Sequence, residues 1–286
     1  MDHFRKPDWL KARLPSQSTY FQVAGLLKKG RLHTICESGR CPNIGECWAR
    51  KTATFLILGN ICTRNCAFCA VDKGRPKPLD QTEPDQVLAA VETMGLRYVV
   101  ITSVTRDDLP DGGAEVFYRT IKLIKDNYPQ IKVEVLIPDF KGEEGPLLKV
   151  LAARPEVISH NLETTANLYP EINRPVNNYY RSLGLLKLAH EHGALTKSGL
   201  MVGLGESLTA LKQAFLDLRQ NGCELLTIGQ YLQPTRQHTP VRRYCSPQEF
   251  EELRQLALEL GFKEVASGPL VRSSYFADKL YEAGRS

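Results

Sequence analysis

No apolar run approaches the roughly 18 residues that a membrane helix requires, which excludes a spanning helix. The N-terminal stretch MDHFRKPDWLKARLP is charged and broken by proline where a secretory leader would be apolar, so the expected compartment is the cytoplasm. No unit recurs with the period of a solenoid or propeller, and no low-complexity tract is present. Motifs for binding DNA or RNA are also absent. A net charge of +5 is small for 286 residues, and the Lys and Arg residues are scattered, which suits attraction to an acidic partner better than a nucleic-acid groove. Disulfide staples are not needed either. With 42% hydrophobic and 24% charged residues, a chain this long can bury roughly three quarters of its unfolded surface in an ordinary core.

The eight cysteines therefore need another explanation. Six fall into two tight triads within the first 69 residues, a pattern of metal binding in a reducing compartment more than of a disulfide framework. Cys62, Cys66 and Cys69 form a C-x3-C-x2-C run, CTRNCAFC, directly after the strand-like segment Ala53 to Gly59. Thiolates are soft ligands suited to iron–sulfur clusters or zinc. Structural zinc wants four protein ligands, and no fourth Cys or His lies close by in sequence. Three thiolates on a four-iron cluster instead leave one iron open to a substrate or cosubstrate. A ferredoxin-like cluster, a zinc knuckle and three unrelated buried thiols are the alternatives at this point. The second triad, Cys36, Cys41 and Cys47, is spaced C-x4-C-x5-C, with Gly39 and Gly45 allowing the backbone to curl closely around a ligand. It too lacks an obvious fourth ligand.

Residues 1–52 do not read as a regular domain, beyond a short helix expected over Gln17 to Lys29 with apolar Phe21, Val23, Ala24, Leu26 and Leu27. From Ala53 the pattern becomes β-rich runs alternating with amphipathic helices. The expected strands are Ala53–Gly59, Arg97–Ser103, Lys132–Pro138, Val157–Glu163, Thr196–Gly203 and Leu225–Leu232. One helix begins near Pro84 with Val87, Leu88, Val91 and Met94 on a stripe; another follows Ser207 with Leu208, Leu211, Phe215 and Leu218. The last opens on a capping box, Ser246-Pro-Gln-Glu249, and carries Phe250, Leu253, Leu256, Ala257 and Leu260 before Gly261. Six such units over residues 53–261 predict a parallel sheet with right-handed crossovers, either doubly wound or an open barrel, with residues 262–286 as an extension. In both architectures the active site lies at the C-terminal strand ends, where the Cys62–Cys69 loop falls.

The CTRNCAFC run, with Phe68 before its last thiol, resembles the signature of radical S-adenosylmethionine (SAM) enzymes. That resemblance implies an α/β partial (β/α)6 TIM-type barrel with N- and C-terminal extensions, a 4Fe-4S cluster on Cys62, Cys66 and Cys69, and SAM on the open iron, cleaved to a 5′-deoxyadenosyl radical. It also implies SAM contacts from Phe68, from Gly112 and Gly113 after the second strand, from Asn161 and Glu163 after the fourth, and from Met201 and Gly203 in a G-x-I-x-G-x-x-E-like motif. A tight turn at the glycines and a satisfied core histidine at His160 are the structural alternatives.

CESGRCPNIGECW, TSVTRDDLPDGGA, HNLET, GQYLQPT and VRSSY, taken with that run, are similar to the lipoyl synthase family over nearly the whole chain. The implied activity is that of a sulfurtransferase inserting sulfur at C6 and C8 of a protein-bound octanoyl-lysine, with a second 4Fe-4S cluster on Cys36, Cys41 and Cys47 as the sulfur donor. The implied partners are an octanoylated lipoyl carrier domain, a low-potential reductant such as ferredoxin or flavodoxin, and cluster-assembly machinery, with no nucleic acid and no membrane. Thiol chemistry alone favours Cys245 as fourth ligand, whereas Cys223, after a helix end, reads as structural; the family pattern instead implies a serine oxygen, Ser273 or its neighbour Ser274, where a hard donor on iron suits a cluster that must be dismantled. Phe276 departs from the His common at that place in the family. The basic stretch from Arg236 through His238 to Arg242 and Arg243 is either a solvated charge run or a receiver for the acidic carrier. Competing functions are thiolation of a free small molecule, as in biotin synthase, and a non-enzymatic two-cluster electron carrier.

Overall fold

The computed structural model describes residues 6–11 and 18–285. Helix α1 (Ser18–Lys29) buries Val23 and Leu27 but leaves Phe21 exposed; the expected start at Gln17 lies outside the described residues. Strand β1 (His33–Thr34) and two short helices, α2 (Ile35–Ser38) and α3 (Ile44–Ala49), then carry the second triad. Trp48, 1% exposed and stacked on Tyr20 with ring centroids 5.1 Å apart, fastens α3 to α1.

The six expected strands are all present; the fifth keeps its expected length shifted by one residue, the fourth is cut to Val157–Ser159, and the other four are shorter than their apolar runs. Strand β2 (Thr54–Ile57) is followed by a minor two-stranded pair, β3 (Ile61–Cys62) with β4 (Asp72–Lys73), and then by α4 (Glu83–Met94) and β5 (Tyr98–Ser103). The series continues with α5 (Ala114–Asn127), β6 (Lys132–Leu136), α6 (Glu144–Ala152), β7 (Val157–Ser159) and α7 (Asn177–Glu191). It closes with β8 (Leu195–Val202), α8 (Leu208–Gln220), β9 (Leu225–Gln230) and α9 (Pro247–Glu259). Strand β10 (Glu264–Gly268) and helix α10 (Ala277–Ala283) follow.

The sheet runs β1-β2-β5-β6-β7-β8-β9-β10, parallel throughout except at β1, and its two outer strands are not paired with each other. This is the partial barrel. The sheet extends beyond the six expected units at both edges: β1 adds antiparallel to β2, and β10 pairs in register with β9 from Glu264↔Leu225 to Gly268↔Gly229. Helix stripes face it as the 3.6-residue period requires. Val87, Val91 and Met94 of α4 and Leu211, Phe215 and Leu218 of α8 are buried, whereas Leu208 is 65% exposed because it opens its helix on the solvent side of the Ser207 cap. The Ser246–Glu249 capping box forms as its residues predict.

Three hydrophobic clusters result among the described residues, one beneath α1 and α4–α6, one beneath α7–α9, and a small one of Leu168, Ile172, Leu204 and Tyr231 on which Phe68 and Met201 pack. Inside the barrel Lys197 and Glu134, each 1% exposed, pair at 2.8 Å, and Tyr98 donates its hydroxyl to Glu134 at 2.7 Å. Removing either partner of so buried a pair costs about 3–5 kcal/mol. Among the described residues no helix is long and apolar enough to cross a membrane.

Candidate active site

The loop that carries Cys62, Cys66 and Cys69 leaves β2 through a left-handed Leu58 (φ 70°), an unfavourable conformation for a non-glycine residue. Buried Glu83 holds it there by accepting the Leu58 and Gly59 N–H groups at 2.7 and 3.4 Å, while Arg106 donates to the Leu58 carbonyl at 3.2 Å. Further on, Arg64 forks onto both carboxylate oxygens of Asp107 at 2.7 and 2.9 Å and reaches Asp139, which is fully buried, at 2.6 Å. The loop is thereby tied to the ends of β5 and β6. On its other side Ile172 accepts the Ala67 N–H at 2.9 Å, Asn173 donates to the Asn65 carbonyl at 2.6 Å, and Thr239 N–H donates to the Ala67 carbonyl at 2.9 Å. His238 donates from Nε2 to the Cys69 carbonyl at 3.0 Å, with Nδ1 taking the Thr235 hydroxyl. The expected basic stretch is thus partly a clamp on this loop; Arg242 pairs with Glu171 at 3.9 Å and Arg243 with Glu249.

A cavity of about 450 Å³ opens beside this loop at the C-terminal strand ends. It brings together Phe68, Cys69, Asn161, Glu163 and Met201. Asn161 Oδ1 is buried without a hydrogen-bond partner, and a Cβ on Gly199 would lie 2.7 Å from it, so this strand position must be glycine for the amide to face the cavity. Glu163 holds φ 73°, and burial raises its carboxyl. An orphaned amide, a strained acid and a ring facing one cavity at a switch from strand to loop suit a polar ligand with a planar part.

A larger cavity of about 840 Å³ holds the second triad together with Ser274 and Tyr275, and runs past Thr54 to Tyr98 and Lys132 at the opposite strand ends. The C-terminal segment separates the two cavities, and Arg272 lines both. Gly229 makes room for this segment: a Cβ there would sit 2.1 Å from the Val271 carbonyl oxygen. Asn43 donates to the Leu270 carbonyl at 2.6 Å and Tyr275 to Glu46 at 3.1 Å, so both neighbours of the triad grip the segment. Ser274 faces the triad's cavity, and Ser273 faces the Cys69 cavity. Phe276 packs under the Arg50 guanidinium, 4.0 Å from its ring centroid.

Several expected residues lie elsewhere. Cys245 is fully buried against Phe250 and Leu253 in the α7–α9 cluster, with its N–H given to Gln230, and lines neither cavity. Cys223 is core, as its place after a helix end predicts. His160 is a satisfied core histidine, bonded to the Ile137 carbonyl and the Ser182 hydroxyl at 2.8 Å each, and burial pulls it down to about 4. Gly112 and Gly113 are left-handed and pressed against Phe140 and Leu58; Gly203, at φ 100°, packs on Gln230. None of the three lines either cavity. Glu83 carried no local signal in the sequence, and Arg106 and Arg272 appeared only within quoted motifs with no role assigned, because their partners are brought together only by the barrel.

The donor sets fit iron–sulfur clusters. Burial pushes Cys36 up to about 11 and Cys47 and Cys69 up to about 12, so these thiols ionise only against a positively charged body.

An open parallel barrel whose first parallel strand, β2, leads into a three-thiol loop with Cys69 at the edge of a polar cavity is the architecture of a radical SAM enzyme, and the Radical SAM superfamily model matches residues 56–218. HydG, a maturase of the [FeFe]-hydrogenase, shares the fold with a TM-score of 0.57 at 13% identity, over 93% of this chain and 74% of that one. Lipoyl synthase of Rubrobacter xylanophilus is 54% identical over 98% of this chain and 88% of its own length, and that of Caldicellulosiruptor saccharolyticus 53% identical over 96% and 97%. The chain belongs to the lipoyl synthase family.

Proposed function

We infer that this chain is a sulfurtransferase that inserts two sulfur atoms, at C6 and C8, into an octanoyl group held in amide linkage on a lysine of a lipoyl carrier domain. The observation that carries the reading is that the second triad lines one cavity and Cys69 of the first triad lines the other, while the two cavities share Arg272, so two centres can serve one substrate chain from opposite sides. Cys62, Cys66 and Cys69 would hold a 4Fe-4S cluster, and Cys36, Cys41 and Cys47 a second, with Ser274 facing that cavity and Ser273 the alternative implied by the family pattern. When bound, the clusters and SAM supply hydrogen removal from an unactivated carbon and the sulfur that replaces it. The protein's own residues position and shield this chemistry. Asn161 offers an unspent carbonyl oxygen, and Glu163 a carboxyl made more basic by burial, to the hydroxyl and amino groups of a nucleoside, while Phe68 and Met201 supply apolar walls. The C-terminal segment, held through Leu270 and Tyr275, lies between the two cavities.

Mass spectrometry of an octanoyl-lysine peptide incubated anaerobically with reconstituted protein, SAM and dithionite tests the reading. The expected product carries two sulfur atoms; an unmodified peptide alongside accumulating 5′-deoxyadenosine refutes it.

A further inference from the structure

Two arginines border the Cys62–Cys69 loop, and their charges are disposed differently. Arg64 is matched by Asp107 and Asp139. Arg174, 9% exposed, makes no ion pair among the described residues, and its Nε is buried without a hydrogen-bond partner. Its guanidinium carbon lies 5.4 Å from the Tyr169 ring centroid, and its charge works against the burial that raises the Cys66 thiol and the Glu163 carboxyl, lowering both. A buried guanidinium with no close ion pair among the described residues and an unsatisfied Nε favours a further anion in its site, beyond the more distant Glu163. The turn that carries it shows where that anion lies. Ile172 accepts the Ala67 N–H and the left-handed Asn173 (φ 56°) donates to the Asn65 carbonyl, so the two residues before Arg174 are bonded to the two neighbours of Cys66.

We propose that Arg174 is the counter-cation of the centre held by Cys62, Cys66 and Cys69, and that its charge makes that centre easier to reduce. The inference rests on the cluster assignment above. Reduction takes one electron from the low-potential reductant and makes or breaks no bond; it adds a negative charge to a buried body that already has three thiolate ligands. A fixed cation at low dielectric favours the more negative state. Arg64 cannot serve in this way because its charge is already cancelled.

The test is a potentiometric titration, followed by electron paramagnetic resonance, of the reconstituted full chain, with the Cys36/Cys41/Cys47→Ala variant identifying which signal belongs to the Cys62–Cys69 centre. Arg174→Gln is expected to lower the equilibrium constant for reduction at least tenfold, about 59 mV for one electron, at unchanged iron content, and Arg174→Lys to stay within about threefold of the parent. A fully loaded Arg174→Gln protein with the parent's potential overturns the proposal. If Arg174→Gln fails to take up iron, Arg174→Lys decides: charge restores both iron and potential, and a lysine variant that restores neither shows a packing role and overturns it too. A parent chain with no reducible Cys62–Cys69 centre would instead sink the cluster assignment itself.

Discussion

Replacing Arg64 by Met probes how the cluster loop is held. Its guanidinium is the main counter-charge of Asp139, whose side chain is fully buried, and also forks onto Asp107. Burial alone would raise the Asp139 carboxyl, but the hydrogen bonds and charge of Arg64 more than reverse this and hold it well below the usual carboxylate range. Breaking a buried pair from one side costs about 3–5 kcal/mol, and the low end applies because Arg181 stays at 3.4 Å and the Lys141 N–H at 3.1 Å. At about 2–4 °C per kcal/mol for a chain somewhat smaller than this one, a loss of about 3 kcal/mol lowers the melting temperature by about 6–12 °C. The sign with pH follows from linkage. A depressed carboxylate contributes stability that is fully present above its unfolded value of about 4 and is lost as the pH falls through the folded one. Parent and variant should therefore differ most near pH 7, with the gap narrowing progressively as the pH falls below about 4. Calorimetry on the iron-free chains measures both quantities. A gap of under about 2 °C at pH 7, or one that persists undiminished in acid, refutes the clamp.

His160 gives a second pH signature. Its folded value of about 4 lies below the unfolded 6.5 because the ring is buried neutral, so stability present above pH 6.5 is lost between there and pH 4, by about 3 kcal/mol; denaturant titrations of His160→Gln should lack that slope, and an unchanged slope contradicts the assignment. If Arg242 and Arg243 steer an acidic carrier despite their pairing with Glu171 and Glu249, the double alanine variant should bind the carrier with a shallower salt dependence. Surface plasmon resonance at several ionic strengths decides this, an unchanged slope discarding the steering role.

Period and punctuation made most of the barrel legible. Each of the six central strands was an apolar run, and α8 and α9 announced themselves through Ser207, Ser246 and a four-position stripe. Strand β10 was not readable because only Val265 of its five residues is buried, and β1 because two residues carry no period. The triads were legible because spacing alone brings thiols together. The residues that shape the loop around them were not. Glu83, Arg106 and Arg64 act on partners 24 to 75 residues away, a relation that exists only once β2, β5 and β6 lie side by side. His160 shows the converse: a polar residue at a strand end looks functional until Ile137 and Ser182 are seen to satisfy it.

The central claim is that the two triads do different work. It is tested most directly by measuring 5′-deoxyadenosine and thiolated peptide together in single-triad variants. Cys62→Ala, Cys66→Ala or Cys69→Ala should abolish both products, whereas Cys36→Ala, Cys41→Ala or Cys47→Ala should retain some deoxyadenosine and yield no peptide carrying sulfur. A second-triad variant that makes the lipoyl product at the parent's yield would contradict the account.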